Sequence, residues 1–224
     1  MKMIYTFWEG KKPSYISLCM KTWSFPYIEL NYGNLQKYTD FDIERAKRFT
    51  LPQIADCVRV HVLRDNGGHW LDADTIMFTD KLPDCTILGN PVTRMNTIGM
   101  LQAQEEMFEA WAKYQDEVIR TAEPPQDWSI MGNAFTDGYL KEHREVSIGD
   151  IGSRWAEVEM VSGNASRMEK YKELYFANSY HLSDFRKTDM LMLHNSWTPE
   201  WYKQMTEAQV LNADCTLSNI LNES

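Results

Sequence analysis

The stretch that most constrains this chain is Gln53–Ile76, QIADCVRVHVLRDNGGHWLDADTI. It reads as a helix, a glycine turn, a short apolar strand and then two aspartates, Asp72 and Asp74, one residue apart. Pro52 stands where a helix opens, and Asn66-Gly67-Gly68 closes it, because glycine accepts the left-handed backbone of a helix end. Ile54, Ala55, Val58 and Val62 supply the inner face. Asp56 and Arg59, three residues apart, share a face of the same helix. In an extended strand alternate side chains point the same way, so Asp72 and Asp74 are expected to project together. Two like charges that close repel unless a cation lies between them. An all-oxygen donor set favours a hard divalent ion, Mg²⁺ or Mn²⁺.

A chain of 224 residues is long enough for one α/β domain with a full core. The formal charge of −9 argues against general affinity for nucleic acid or an anionic membrane. A site for phosphorylated ligands would therefore need local positive charge or a metal. Cys19, Cys57, Cys85 and Cys215 have no C-x-x-C spacing and fit buried thiols in a reducing compartment. The apolar part of MKMIYTFWEGKKP is too short for a signal peptide, and no window approaches a membrane span. These readings make a cytoplasmic location the expectation.

Taken in order, Met3–Trp8 reads as a strand, Pro13–Trp23 as a helix and Tyr27–Tyr32 as a second strand. This opening has the form of a nucleotide-binding half, whose ligands sit beyond the carboxyl ends of strands. Tyr38–Phe49 is charged and irregular. Thr75–Phe78 is expected to continue the acidic strand, followed by short strands at Ile87–Gly89 and Thr97–Leu101. Gln104–Thr121 is an amphipathic helix with Met107, Trp111, Tyr114 and Val118 on one stripe. Trp128–His143 is a further helix, in which Met131–Thr136 is a candidate acceptor-site lining. Strands at Val146–Ile151 and Trp155–Val161, a helix at Asn164–Ala177 and an apolar strand at Met190–Leu193 complete the reading. That last strand runs into His194-Asn195-Ser196-Trp197. Residues 1–217 form the expected domain, and 218–224 read as a polar tail or the start of a linker.

Asp56, Arg59, Gly67, Gly68, Asp72 and Asp74, in the register A-D-x-x-R, G-G, W-L-D-A-D, resemble the sugar-nucleotide region of GT-A glycosyltransferases. The similar groups are the capsular polysaccharide synthesis enzymes and the yeast-type initiating mannosyltransferases, with the clostridial glucosylating toxins more distant. The resemblance implies a GT-A α/β fold, a mixed central sheet flanked by helices in a single domain. It implies transfer of a sugar from a nucleoside diphosphate donor to a glycan acceptor, with retention. UDP is the implied nucleotide, and GDP stays open. Asp72 and Asp74 would hold Mn²⁺ or Mg²⁺, and His194 would complete the metal shell. Asp56 and Arg59 would bind donor sugar and phosphate or ribose oxygens, a task for which the planar guanidinium fork is suited. I-Y-T-F-W-E-G is similar to the opening strand of these enzymes, which makes Thr6 and Trp8 donor-binding candidates, Trp8 by stacking on the base. Trp197 would fold over the donor.

Two other functions compete. W-L-D-A-D-T also matches the hydrophobic-D-x-D-x-T signature of haloacid-dehalogenase-type phosphatases, where the first aspartate is the nucleophile. Their later acidic motif is not matched, because Gly149-Asp150 is followed by Arg154 where a second aspartate belongs. A non-catalytic sugar-binding module would use the same pocket with fewer parts.

Overall fold

The structure, a computed structural model, describes residues 3–123, 127–150, 164–184 and 189–224. In chain order the elements are β1 (Ile4–Phe7), α1 (Ser14–Lys21), β2 (Tyr27–Leu30), α2 (Ile43–Ala46), α3 (Leu51–Asn66), β3 (His69–Leu71), β4 (Thr75–Met77) and β5 (Ile87–Gly89). Then come β6 (Asn96–Gln102), α4 (Glu105–Thr121), α5 (Asn133–Glu142), β7 (Ile148–Asp150), α6 (Asn164–Lys172), β8 (Met190–Met192), α7 (Glu200–Lys203), α8 (Glu207–Leu211) and α9 (Thr216–Glu223). The chain divides into two compact units, each assembled from three segments: residues 1–9, 26–72 and 83–150, and residues 10–25, 73–82 and 151–224.

The first unit is a six-stranded mixed sheet in the order β2-β1-β3-β6-β5-β7 with helices against it. Strand β1 is parallel to both β2 and β3, with Tyr5 opposite Ile28 on one side and Trp70 on the other. Strands β3 and β6 run antiparallel. Helix α3 starts where the sequence signals it: Thr50 and Gln53 form a capping box and Pro52 sits in the first turn. It ends at Gly67 and Gly68, both at positive φ. A Cβ on Gly68 would also collide with the Met3 carbonyl, so the strand that follows can lie against β1 only with glycine there. Val58, Val62, Leu63, Phe108, Trp111 and Leu101 are buried in one continuous core. Of the α4 stripe, Met107 and Trp111 are fully enclosed and Tyr114 only partly.

The second unit contains α1, the two-stranded antiparallel sheet β4-β8 and the late helices. The Trp23 indole N–H donates to the Thr75 carbonyl at 2.8 Å, and Thr22 Oγ1 accepts from Met77 N–H at 2.8 Å, so the residues that close α1 hold both ends of β4. Tyr15, Ile16, Cys19, Ile76, Tyr171 and Tyr202 are buried.

Four expectations need correction. Thr75–Met77 does not continue β3; it pairs with Met190–Met192 in the separate sheet. Asp72-Ala73-Asp74 is the turn between the two strands, not part of either. The aspartates therefore do not share a strand face. Residues 218–223 are not a polar tail, because α9 buries Leu217, Ile220 and Leu221. An apolar residue every third or fourth position on a helix supplies enough buried surface to hold it down. The helix expected from Trp128 begins at Asn133, after turns at Asp127–Ile130 and Ser129–Gly132. The strand expected at Trp155–Val161 lies outside the described residues. Among the described residues no helix is long and apolar enough to cross a membrane.

Candidate functional site

In the first unit, β1 and β3 end side by side, and the residues just beyond them are Trp8 and Asp72. The main-chain N–H of Trp8 donates to the Leu30 carbonyl at 3.0 Å and that of Asp72 to the Gly99 carbonyl at 2.8 Å, so both positions are held by the sheet's own ladder. Thr6 is fully buried and Trp8 half-buried; the Thr6 hydroxyl and the Trp8 indole N–H are both enclosed without a hydrogen-bond partner among the described residues.

Helix α3 brings Asp56 and Arg59 to the same place. Nη2 of Arg59 lies 3.0 Å from Asp56 Oδ1 and 3.3 Å from Asp72 Oδ1. Nη1 donates to the Ile98 carbonyl. The guanidinium also stands over the Trp70 ring, 5.2 Å from its centroid, and the Trp70 indole N–H donates to Asp72 Oδ1 at 2.7 Å. Arg59 thus clamps two carboxylates, and Trp70 supports both the cation and one of its anions. The side chain of Arg59 is 7% exposed and that of Asp72 33%. The sequence reading gave the guanidinium to donor oxygens; here its terminal nitrogens are engaged within the protein, and Asp72 is the exposed member.

Formally these three charges sum to −1. Burial pushes the Asp56 carboxyl up to about 7; Arg59 pulls against this and Asp72 adds to it. Asp56 is framed closely on another side. A Cβ on Gly132 would lie 2.6 Å from Ile98 Cδ1 and 2.9 Å from Asp56 Oδ2, so only glycine lets the start of α5 approach this carboxylate. The Gln115 amide on α4 donates to the Asp56 carbonyl at 3.1 Å and the Met131 carbonyl at 2.6 Å, tying α3, α4 and this turn together.

The second unit holds Asp74 and the His194–Trp197 turn. The Leu193 N–H donates to the Asp74 carbonyl at 3.1 Å, continuing the β4-β8 ladder, and the Asn195 N–H donates to Asp74 Oδ2 at 2.9 Å. The sequence expectation that His194 follows directly on an apolar strand is met. Its ring lies 3.9 Å from that of Trp197 and meets Tyr171 edge-on at 5.8 Å. The Asp74 charge raises the pKa of Tyr15, Cys19 and Tyr171, in each case second to burial or after it. Among the described residues no group of three or more His, Cys, Asp or Glu side chains is gathered for a metal ion.

Sequence reasoning gave no site role to Trp70, Gln115, Tyr15 or Asn195, and had Gly132 only within the Met131–Thr136 acceptor-site candidate. Trp70 had a signal, since it precedes Asp72 by two residues and strand periodicity puts both on one side. Gln115 had another, as a polar residue four after Trp111 on the apolar stripe. Nothing local marks Tyr15.

Residues 1–131 match the model of a protein family described as capsular polysaccharide synthesis protein. No curated protein sequence matches the chain. Among solved structures, the apo-form glycosyltransferase GlyE of Streptococcus pneumoniae TIGR4 is similar at 12% identity and a TM-score of 0.47. The similarity covers 94% of this chain and 62% of that one, so the chain spans less than two thirds of GlyE's length.

Proposed function

The chain belongs to the capsular polysaccharide synthesis protein family, and from that premise we propose that it is a glycosyltransferase, moving a sugar from a nucleoside diphosphate donor to a glycan acceptor. The observation that carries this reading is the Asp56–Arg59–Asp72 clamp beyond the ends of two parallel strands. Carboxylate oxygens fixed by a buried guanidinium are preorganised acceptors for sugar hydroxyls. Arg59 acts in this reading as the residue that positions Asp72 rather than as a direct ligand of the donor. Holding the sugar in one orientation is a large part of what such a transfer requires. Trp8 and Thr6, at the end of β1, are assigned to the nucleotide, with UDP favoured over GDP by the family resemblance. Trp197 is assigned to covering the donor and excluding water. Retention is proposed from the family resemblance.

Asp72 and Asp74 are carboxylates, and as anions they repel a diphosphate, which is a physical reason for a divalent cation. Donor chemistry fits one. Asp72 and Asp74 offer hard oxygens, Asp72 is part-exposed, and Asp74 is oriented by a main-chain N–H. The fitting ion is one held by one or two carboxylates, with phosphate oxygens and water completing the shell, as Mg²⁺ commonly is. His194 remains a proposed additional ligand. When bound, Mn²⁺ or Mg²⁺ supplies Lewis-acid stabilisation of the departing diphosphate.

A thermal-shift screen of nucleotide sugars with and without Mn²⁺ tests the proposal, since a ligand of the native state raises apparent stability. A rise with a UDP-sugar and Mn²⁺, together with slow release of sugar, is expected. Hydrolysis of simple phosphoesters with no response to any nucleotide sugar would replace this reading with the phosphatase one. Tight glycan binding without turnover would replace it with a binding module.

A further inference from the structure

Beneath Asp74 the second unit contains a buried chain of hydrogen bonds that reaches back to the first helix. Tyr15, on α1, is completely enclosed, and its hydroxyl donates to Asn195 Oδ1 at 2.6 Å. The same Asn195 presents its main-chain N–H to Asp74 Oδ2 at 2.9 Å. Around this link, Tyr15 also approaches Thr198 Oγ1 at 3.4 Å, and Thr198 shares a hydrogen bond of 3.1 Å with Tyr171. The Thr198 hydroxyl donates to the His194 carbonyl at 3.1 Å, while Tyr171 accepts from the His194 N–H at 3.3 Å. Two buried phenols therefore fix the turn at both of its ends.

We infer that Tyr15 is a positioning residue for the Asp74 carboxylate, acting through Asn195. This rests on the reading that Asp74 holds the divalent cation. Without the Tyr15 hydroxyl, Asn195 loses the partner that sets its side chain. The N–H that orients Asp74 then has one anchor fewer. Burial, and after it the Asp74 charge, raises the Tyr15 pKa, which favours the protonated phenol that donates to Asn195. A carboxylate oriented before the cation arrives loses less freedom on binding it, and groups behind a ligand typically change metal affinity by about 10–100-fold. The bland alternative is that the Tyr15–Asn195 bond only holds the turn in the core. In that case it contributes to stability and leaves metal affinity alone.

The test is Tyr15→Phe, which keeps the ring and removes the hydroxyl, with Asn195→Ala as a second variant should the first fold poorly. Mn²⁺ alone is titrated into the full chain and free ion is read by electron paramagnetic resonance; thermal stability without metal is recorded in parallel. The expected result is Mn²⁺ binding weakened about tenfold in Tyr15→Phe. Adding Tyr15→Phe to Asp74→Asn should weaken it no further. Wild-type Mn²⁺ affinity in a folded Tyr15→Phe or Asn195→Ala chain overturns the inference while leaving the cation at Asp74 in place. Failure of the wild-type chain to bind Mn²⁺ or Mg²⁺ overturns the cation reading itself, and the inference with it.

Discussion

Asp56→Asn separates the two forces that meet at the clamp. Burial favours the neutral carboxyl and the Arg59 guanidinium at 3.0 Å favours the anion; burial prevails, holding the group near 7 against an ordinary 3.8. The folded chain therefore keeps this proton through a pH range where the unfolded chain has lost it. Stability from the group is fully present below about pH 4 and is lost as pH rises through about 7. At about 1.36 kcal/mol for each tenfold difference in proton affinity, the whole change is on the order of 4 kcal/mol. Asparagine does not titrate. Subtracting its stability from that of the wild type cancels every other ionising group that the substitution leaves alone. Urea unfolding of both chains at intervals from pH 4 to pH 8 gives the difference directly. The wild type should lose several kcal/mol relative to Asp56→Asn across that range, most of it between about pH 5 and pH 7. A flat difference, or one in which the wild type gains with pH, would mean that Arg59 outweighs burial and would refute the reasoning. If the ionised form is the one that accepts the donor's hydroxyls, wild-type kcat/KM should rise over the same interval in which stability falls.

Arg59→Lys keeps a charge but cannot reach Asp56, Asp72 and the Ile98 carbonyl together. The loss of one charge-assisted bond, about 1.5–3 kcal/mol, should lower kcat/KM about tenfold or more, and an unchanged value would reduce the clamp to a structural ion pair. Gly132→Ala places a methyl 2.9 Å from Oδ2 of the carboxylate whose other oxygen, Oδ1, Arg59 holds. A stability loss of about 1–3 kcal/mol by urea unfolding is expected, with a fall in kcat/KM for the donor; a neutral result would show that α5 can move aside. His194→Ala should weaken Mn²⁺ binding with UDP present. Equal affinity by calorimetry, with reduced thermal stability, would confine the imidazole to its contacts with Trp197 and Tyr171.

Helix α3 was legible because its two ends and its inner face are written in adjacent residues: a capping box at Thr50 and Gln53, a glycine stop, and an apolar stripe between. The approach of Asp56 to Arg59 followed from helical spacing alone. The destination of Thr75–Met77 was not legible, because a three-residue strand, Thr-Ile-Met, carries no information about which strand it pairs with. The partner, Met190–Met192, lies more than a hundred residues away. The same distance hid Tyr15, whose meaning depends on Asn195. The short helices α7 and α8 escaped because one turn shows no periodicity. Helix α9 was misread as a tail because its outward face is polar.

The interleaving of the two units fixes the order in which the molecule can become itself during synthesis. All six strands of the larger sheet have left the ribosome once residue 150 emerges, but α1 and β4 have by then been waiting for partners that lie beyond it. Asp74 receives the Asn195 N–H from 121 residues downstream. At roughly 5–20 residues per second, that is an interval of about 6–24 s in which the second aspartate of the acidic pair stands without this donor. A chain halted after residue 150 has emerged and before Asn195 has would carry the Asp56–Arg59–Asp72 clamp and lack the support for Asp74. On the proposed assignments, sugar recognition and cation binding would thus mature at different times on one polypeptide.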